Sequence, residues 1–72
     1  MRIEYSYTLL DKRGHEIDKG NISKEKYDEV ITNTNIKLIH EWETEYKYET
    51  LYGKRYSNKE GYTLFLWREE WK

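Results

Sequence analysis

Apolar and polar side chains alternate over Arg2–Leu10, which is the period of a β-strand with one buried face. Asp11–Gly14 follows as a turn, because Gly14 can adopt the left-handed conformation that closes a hairpin. We therefore expect His15–Lys19 to return as a second strand beside the first, and Gly20–Asn21 to end it.

A short amphipathic helix is predicted next. Ser23 is a good N-cap, and Ile22 before it can pack on Tyr27 as a hydrophobic staple. The less polar side chains recur at three- and four-residue steps: Tyr27, Val30, Ile31 and Thr34. Asn33 and Asn35 can end the helix. A helix this short does not persist alone, so we expect it to lie on the sheet.

The period returns to two from Ile36 onward. One side of this pattern holds Ile36, Leu38, His40, Trp42, Tyr46 and Tyr48, and the other holds Lys37, Glu41, Glu43, Glu45, Lys47 and Glu49. The pattern predicts one long strand that continues to Tyr56, with a bend at Gly53. Asn58–Gly61 is then a turn with the glycine of a G1 bulge, and Tyr62–Trp71 is the last strand.

These elements predict a single α+β domain over residues 1–72. Their order is β-β-α-β-β, with an antiparallel sheet of about four strands and one short helix packed on one face. A chain of 72 residues has a thin core, and this one contains no Cys. Disulfides and thiolate metal sites are therefore excluded, and association into a homodimer is expected to help stabilise the fold.

The composition narrows the class of protein further. Eight Tyr, three Trp and one Phe supply the burial that few aliphatic residues provide, which separates this chain from disordered ones. Ala, Pro, Gln and Cys are absent, a bias typical of AT-rich coding sequences such as those of low-GC bacteria and their phages. No apolar run suits a signal peptide or a membrane span, so we expect a protein of the bacterial host cytoplasm without membrane contact.

The residues needed for catalysis are scarce. His15 and His40 are the two histidines, they share no metal-ligand spacing, and the carboxylates fall on predicted solvent faces. The four Gly are isolated, which excludes a phosphate-binding glycine-rich loop. We therefore expect no enzyme, no cofactor, no metal and no small-molecule substrate.

An acidic row is the first candidate binding site. It consists of Glu41, Glu43, Glu45 and Glu49. Alternate strand residues lie roughly 6.6 to 6.8 Å apart, close to the spacing of successive phosphates in nucleic acid, so such a row can mimic DNA. The alternative is that these residues form a solvated strand face on which Lys47 eases their repulsion.

Aromatic residues supply the second candidate surface. Four tyrosines occupy even-numbered positions, as do the residues of the predicted apolar side: Tyr46, Tyr48, Tyr52 and Tyr56. They predict an exposed tyrosine ridge for a partner, or else packing against the last hairpin or in a dimer. On the last strand, Trp67 is the expected core residue, and Trp71 the expected exposed anchor.

A basic and aromatic hairpin offers an alternative function. It contains Lys54, Arg55, Lys59, Tyr56 and Tyr62. Cations that hold phosphates, together with rings that stack bases, are the residue types of a single-stranded nucleic-acid site. The net charge of −1 gives no general attraction to nucleic acid, so any such binding must be local.

Residues 5–40 run as strand, Asp and Gly turn, strand ending in Lys19–Gly20, capped helix, Asn and Thr, then strand. This order resembles the small dimeric phage-encoded inhibitors of uracil-DNA glycosylase. The resemblance implies an acidic, DNA-mimicking dimer that occupies the DNA-binding cleft of the enzyme. It also implies that an aromatic residue early in the helix, here Tyr27, enters a hydrophobic pocket of that enzyme.

The leading functional hypothesis is a phage-type, non-enzymatic inhibitor of a host nucleic-acid enzyme, such as an anti-CRISPR protein or a glycosylase inhibitor. It would present the acidic row, with Tyr27, Tyr46, Tyr48, Tyr52 and Trp71 as anchors. The alternatives are a single-stranded nucleic-acid-binding module and a self-associating structural module without a host target.

Overall fold

Five antiparallel strands and one helix are formed by the residues that the computed structural model describes, 2–33 and 35–72. In chain order the elements are β1 (Arg2–Leu10), β2 (Glu16–Ile22), α1 (Lys24–Ile31), β3 (Lys37–Glu45), β4 (Glu49–Ser57) and β5 (Thr63–Trp71). The strands lie in one sheet in the order β2-β1-β5-β4-β3, so β2 and β3 are its edges. The α+β class is as predicted, and the strand count is five.

Two hairpins close with the same turn, as the two glycine positions predicted. Gly14 and Gly61 have φ angles of 87° and 90°, which only glycine adopts without strain. The Asp11 carboxylate accepts hydrogen bonds from the backbone N–H groups of Arg13 and His15, both at 2.9 Å. The Asn58 side chain accepts the equivalent two bonds, at 3.0 and 2.9 Å, in the β4–β5 turn.

The predicted long strand from Ile36 to Tyr56 is wrong. The chain reverses at Tyr46–Tyr48, where the Tyr46 N–H donates to the Glu49 carbonyl at 2.8 Å. The sequence Tyr-Lys-Tyr has none of the Gly, Asn, Asp or Pro residues that usually mark a turn. Alternation of apolar and polar residues also does not distinguish one long strand from the two strands of a hairpin, because both have a period of two.

The expected single apolar side of β3 is also wrong, because a β-bulge interrupts it. Leu38 pairs with Tyr56 and His40 pairs with Arg55, so Ile39 is an extra residue between two consecutive partners. This shifts the parity of the strand. Leu38 consequently lies on the helix side of the sheet. His40 and Trp42 lie on the opposite side.

Strand β2 runs three residues beyond its predicted end at Lys19, to Ile22. Gly20 does not break the strand, because it pairs with Tyr7, whose ring lies close to the glycine. The Tyr7 hydroxyl donates to Asp18 on the same strand at 2.7 Å. A ring laid across a strand glycine compensates for the missing side chain.

The core lies between α1 and one face of the sheet. Ser23 caps the helix by accepting a hydrogen bond from the Lys26 N–H at 3.1 Å, as predicted. Tyr27 is only 2% exposed and packs on Tyr5, with 4.8 Å between ring centroids. Tyr56 and Leu66 complete the buried cluster. Thr34, included in the predicted helical pattern, lies outside the described residues.

The structure contains one helix over the described residues, of eight residues. In these same ranges, no helix has the length and apolarity that crossing a membrane requires.

Candidate functional site

The face of the sheet opposite α1 has no covering element among residues 2–33 and 35–72, and we call it the open face. Directly paired residues share a face, so the strand registers assign its members. One row across the sheet reads Lys19, Thr8, Phe65, Arg55 and His40. The next row reads Asn21, Ser6, Trp67, Gly53 and Trp42.

Three large rings pack together at the centre of this face, and we call them the ring cluster: Trp42, Phe65 and Trp67. Phe65 and Trp67 are stacked, with centroids 5.7 Å apart and planes 13° apart. Trp42 meets Trp67 edge-on at 5.5 Å and Phe65 at 6.3 Å. All three remain partly exposed, so each ring presents surface to solvent.

A histidine and an arginine flank the ring cluster. His40 stacks on Trp42 at 5.5 Å, and the Arg55 guanidinium lies 5.9 Å from the centre of Phe65. Arg55 and Lys37, both exposed on this face, take part in none of the ion pairs between described residues. Lys19, at the β2 edge, lies 3.5 Å from Glu16. This end of the open face is therefore basic and aromatic.

The other end of the open face is acidic. Glu4 and Glu69 are direct cross-strand partners, and Arg2 reaches Glu4 at 3.6 Å. Burial raises the pKa of the Glu69 carboxyl, and the charges of Glu49 and Glu4 raise it further. The Arg2 guanidinium also lies 4.8 Å from the centre of the Trp71 ring. Charge therefore changes sign along the strands of this one face.

The predicted acidic row does not lie on one face. Glu41, Glu43 and Glu45 pair with Lys54, Tyr52 and Thr50, which places them on the helix side of β3. Glu49 belongs to β4 and faces the open side, because the turn at Tyr46–Tyr48 separates it from the other three.

Each member of the remaining row has a partner within the chain. Lys54 reaches Glu41 at 3.2 Å, and Lys72 reaches Glu45 at 3.5 Å. A hydrogen bond to Glu43 is the main cause that raises the pKa of Tyr52. The carboxylates are thus partly neutralised, although Glu41 and Glu45 keep 61% and 75% of their side chains exposed.

The predicted tyrosine ridge is not formed. Tyr56 is buried in the core at 5% exposure, and Tyr52 carries the Arg68 guanidinium 4.1 Å from its ring centre. Tyr46 and Tyr48 lie at the β3–β4 turn, 50% and 66% exposed. Tyr27, expected to anchor a partner, is a core residue whose ring is inaccessible in this fold.

The predicted basic hairpin is also divided. Lys54 and Tyr56 lie on the helix side, whereas their neighbour Arg55 points to the open face. Lys59 is exposed in the β4–β5 turn, and Tyr62 follows that turn partly buried. Of this set, Arg55 is the residue that lies against the ring cluster, over Phe65. Within residues 2–33 and 35–72, no group of three or more His, Asp or Glu can hold a metal ion.

The ring cluster itself was missed by sequence reasoning, although part of its signal was present. Phe65, Trp67 and Trp71 alternate along β5 and therefore share a face, and Trp67 was assigned to the core. The helix covers the other side, which buries Leu66 at 1% exposure instead. The bulge at Ile39 brings Trp42 to the same face, and no residue type signals that bulge.

Comparison of the chain with protein-family models, curated proteins and solved structures finds no match.

Proposed function

We propose that this chain is a non-catalytic binding protein for single-stranded nucleic acid, with the open face as its interface. The observation that supports this proposal best is the ring cluster beside Arg55 on a sheet face that α1 leaves uncovered, since Arg55 is a cation without a carboxylate partner among residues 2–33 and 35–72. Partly exposed rings on an antiparallel sheet stack bases, and adjacent cations hold phosphates.

The geometry suits a short stretch of strand. Adjacent strands lie about 4.8 Å apart, so Arg55 is one strand from Phe65 and Lys19 is two strands from it on the other side. A base stacked near the ring cluster therefore has a cation on each flank for its phosphates. Stacking contributes about 1 to 3 kcal/mol per base, which predicts weak binding to two or three nucleotides.

The salt dependence follows from the number of cations. Lys19, Lys37 and Arg55 provide two or three phosphate contacts on the open face. For single strands, each neutralised phosphate contributes about −0.7 to the slope of log K against log salt concentration. We therefore expect a slope of about −1.4 to −2.1.

Arg55 and Lys54 provide a matched test, because these neighbours carry the same charge on opposite faces of the sheet. Fluorescence anisotropy with labelled oligonucleotides of about ten residues measures the affinity of the wild type, Arg55→Glu and Lys54→Glu. We expect Arg55→Glu to weaken binding about tenfold or more and Lys54→Glu to change it little. Equal losses in both variants, or no binding by the wild type, would contradict the proposal.

A second candidate function is inhibition of a host nucleic-acid enzyme, as an anti-CRISPR protein or uracil-DNA glycosylase inhibitor of phage type. The observation that favours it is the placement of Glu41, Glu43 and Glu45 on one face of the edge strand β3. Alternate residues of a strand lie roughly 6.6 to 6.8 Å apart, a spacing near that of successive phosphates. A basic nucleic-acid-binding groove is the surface that such a row complements.

Changing all three glutamates to Lys tests this second candidate in a pull-down from a low-GC bacterial lysate. A nuclease or glycosylase that the wild type retains and the triple variant loses would support it. Loss of the same enzyme with Arg55→Glu would instead point to the open face. Sedimentation of the wild type measures the homodimer that the thin core suggests, and an oligomer with neither partner would favour a self-associating module.

A further inference from the structure

A groove of about 610 Å³ runs beside the ring cluster on the open face. Its lining includes Ser6, Thr8, Lys19, Asn21, Trp67 and Glu69. The groove exists because β1 contributes the small residues Ser6 and Thr8 between the large ring of Trp67 on β5 and the longer side chains of β2. One wall is therefore aromatic, the floor carries hydroxyl groups, and the β2 edge carries an amide and an ammonium.

The width of the groove suits a flat heterocycle. Asn21 and Trp67 lie in one cross-strand row, two strands apart, which corresponds to about 9.6 Å between strand axes. Glu69 follows Trp67 by two residues on the same side of β5, so its carboxylate closes one end of the groove. Lys19 lies toward the other end, next to the basic row.

We infer that this groove takes one unstacked base of a bound single strand and prefers a base with an exocyclic amino group, cytosine above all, to uracil or thymine. This inference rests on the proposed function of the open face. An ionised carboxylate only accepts hydrogen bonds, and Glu or Asp characteristically accepts from the N4 amino group of cytosine. Uracil carries a carbonyl oxygen at that position, which a carboxylate repels, so only the N3–H beside it can donate to Glu69.

Further contacts in the groove have complementary chemistry. The Asn21 amide both donates and accepts, so it can bond the remaining polar edge of the base, while Lys19 can hold the adjoining phosphate. The carboxylates of Glu4 and Glu49 lie close to Glu69, and burial with these charges raises its pKa. A donor from the ligand compensates for this unfavourable environment, because hydrogen bonding to the charged form favours ionisation.

Oligodeoxycytidine and oligodeoxyuridine form a matched pair of probes, because their bases have similar stacking area and differ only at positions 3 and 4. Cytosine has an N3 acceptor and an N4 amino group there, and uracil has an N3–H donor and an O4 carbonyl. Anisotropy titrations measure both affinities for the wild type, Glu69→Gln and the control Glu60→Gln, whose residue lies exposed in the β4–β5 turn. We expect the wild type and Glu60→Gln to prefer the cytidine strand at least about fivefold. Glu69→Gln is expected to bring that ratio close to unity while oligodeoxyuridine affinity stays level or rises.

The outcomes separate this inference from the proposed function. Equal wild-type affinities for the two probes would overturn the groove assignment and leave binding by the ring cluster intact. A cytidine preference that persists in Glu69→Gln would assign the preference to another residue and also overturn it. If neither probe binds the wild type, the proposed function itself fails. Thermal denaturation of Glu69→Gln confirms folding, and the wild-type ratio tests the inference without any variant.

Discussion

The indole of Trp42 occupies the space beside Gly53, its direct cross-strand partner on β4. A Cβ on Gly53 would stand 2.5 Å from the Trp42 ring atom Cε2, closer than any real contact allows. The glycine therefore lets the ring lie low across the sheet and reach Trp67 edge-on. This relationship explains why a flexible residue stands in the middle of a central strand, where it otherwise lowers stability.

Replacing Gly53 by Ala is expected to lower the free energy of unfolding by about 1 to 3 kcal/mol, the usual cost of overpacking. The same change in a Trp42→Ala background is expected to cost much less, because the ring that clashes is gone. Urea denaturation followed by far-ultraviolet circular dichroism measures all four states of this double-mutant cycle.

Gly20→Ala is the matched control for that cycle. Gly20 also lies in a strand beneath an aromatic ring, but a Cβ there would meet Tyr7 Cε1 at 3.6 Å, an ordinary contact. We expect Gly20→Ala to leave stability unchanged within about 0.5 kcal/mol or to raise it. A coupling energy near zero between Gly53 and Trp42 would show that the ring does not occupy this space in solution.

The side chains of Asp11 and Asn58 each accept two backbone hydrogen bonds in their turns, Asp11 through a carboxylate and Asn58 through a neutral amide oxygen. The backbone N–H of His15 is the main cause that lowers the pKa of Asp11, and the Arg13 N–H adds to it. A lowered pKa adds stability above the unfolded-state value near 3.8, and this stability is lost as the pH falls through the folded value.

Asp11→Asn should therefore preserve the turn, as Asn58 does, while removing this part of the acid dependence. The difference in Tm between wild type and variant is expected to shrink as the pH falls from about 6 toward 3. Thermal denaturation across that range measures it, with Asn58→Asp expected to introduce a similar dependence into the other turn. A Tm difference that is constant with pH would contradict the role assigned to the charge.

Local signals in the sequence predicted the parts of the fold that depend on local chemistry. Gly14 and Gly61 have the positive φ angles expected of them, and Ser23 caps the helix. The β3–β4 turn was missed because Tyr46–Tyr48 contains no residue type that marks a turn, although the Tyr46 N–H closes it locally on the Glu49 carbonyl. The Lys72 N–H donates to the Tyr48 carbonyl at 2.9 Å, a contact between residues distant in sequence.

The candidate site was harder to predict for a related reason. Alternation divides β5 into two faces, but it does not say which face the helix covers, and Leu66 and Trp67 are equally apolar candidates. The bulge at Ile39 then reverses the parity of His40 and Trp42 relative to Leu38. A one-residue shift moves every later side chain to the other face, so the site depends on register.

Tyr27 and Tyr48 were both predicted to contact a partner, and their environments now predict opposite responses to mutation. Tyr27 is 2% exposed in the core, whereas Tyr48 is 66% exposed at a turn. Tyr27→Ala is expected to cost about 3 to 5 kcal/mol of stability, a large part of what a small domain has. Tyr48→Ala is expected to stay within about 0.5 kcal/mol, and equal effects in urea denaturation would contradict this core assignment.

The raised pKa of Glu69 predicts a pH dependence of stability that has the opposite sign to that of Asp11. Burial, followed by the nearby charge of Glu49, holds the pKa of its carboxyl above the ordinary value of 4.5. The folded state then binds this proton more tightly than the unfolded state does, so stability falls as the pH rises above about 4.5. Glu69→Gln removes the ionisation and is expected to raise Tm at neutral pH relative to the wild type.

Thermal denaturation between about pH 4 and pH 7 measures this gain, which should grow with pH and level off above the folded pKa of Glu69. Glu60→Gln, at an exposed position in a turn, is the control and should follow the wild type throughout. A gain that is equal at both ends of the range would assign the effect to packing. No gain at neutral pH would mean that Arg2, whose charge favours ionisation of Glu69, outweighs burial and the neighbouring carboxylates.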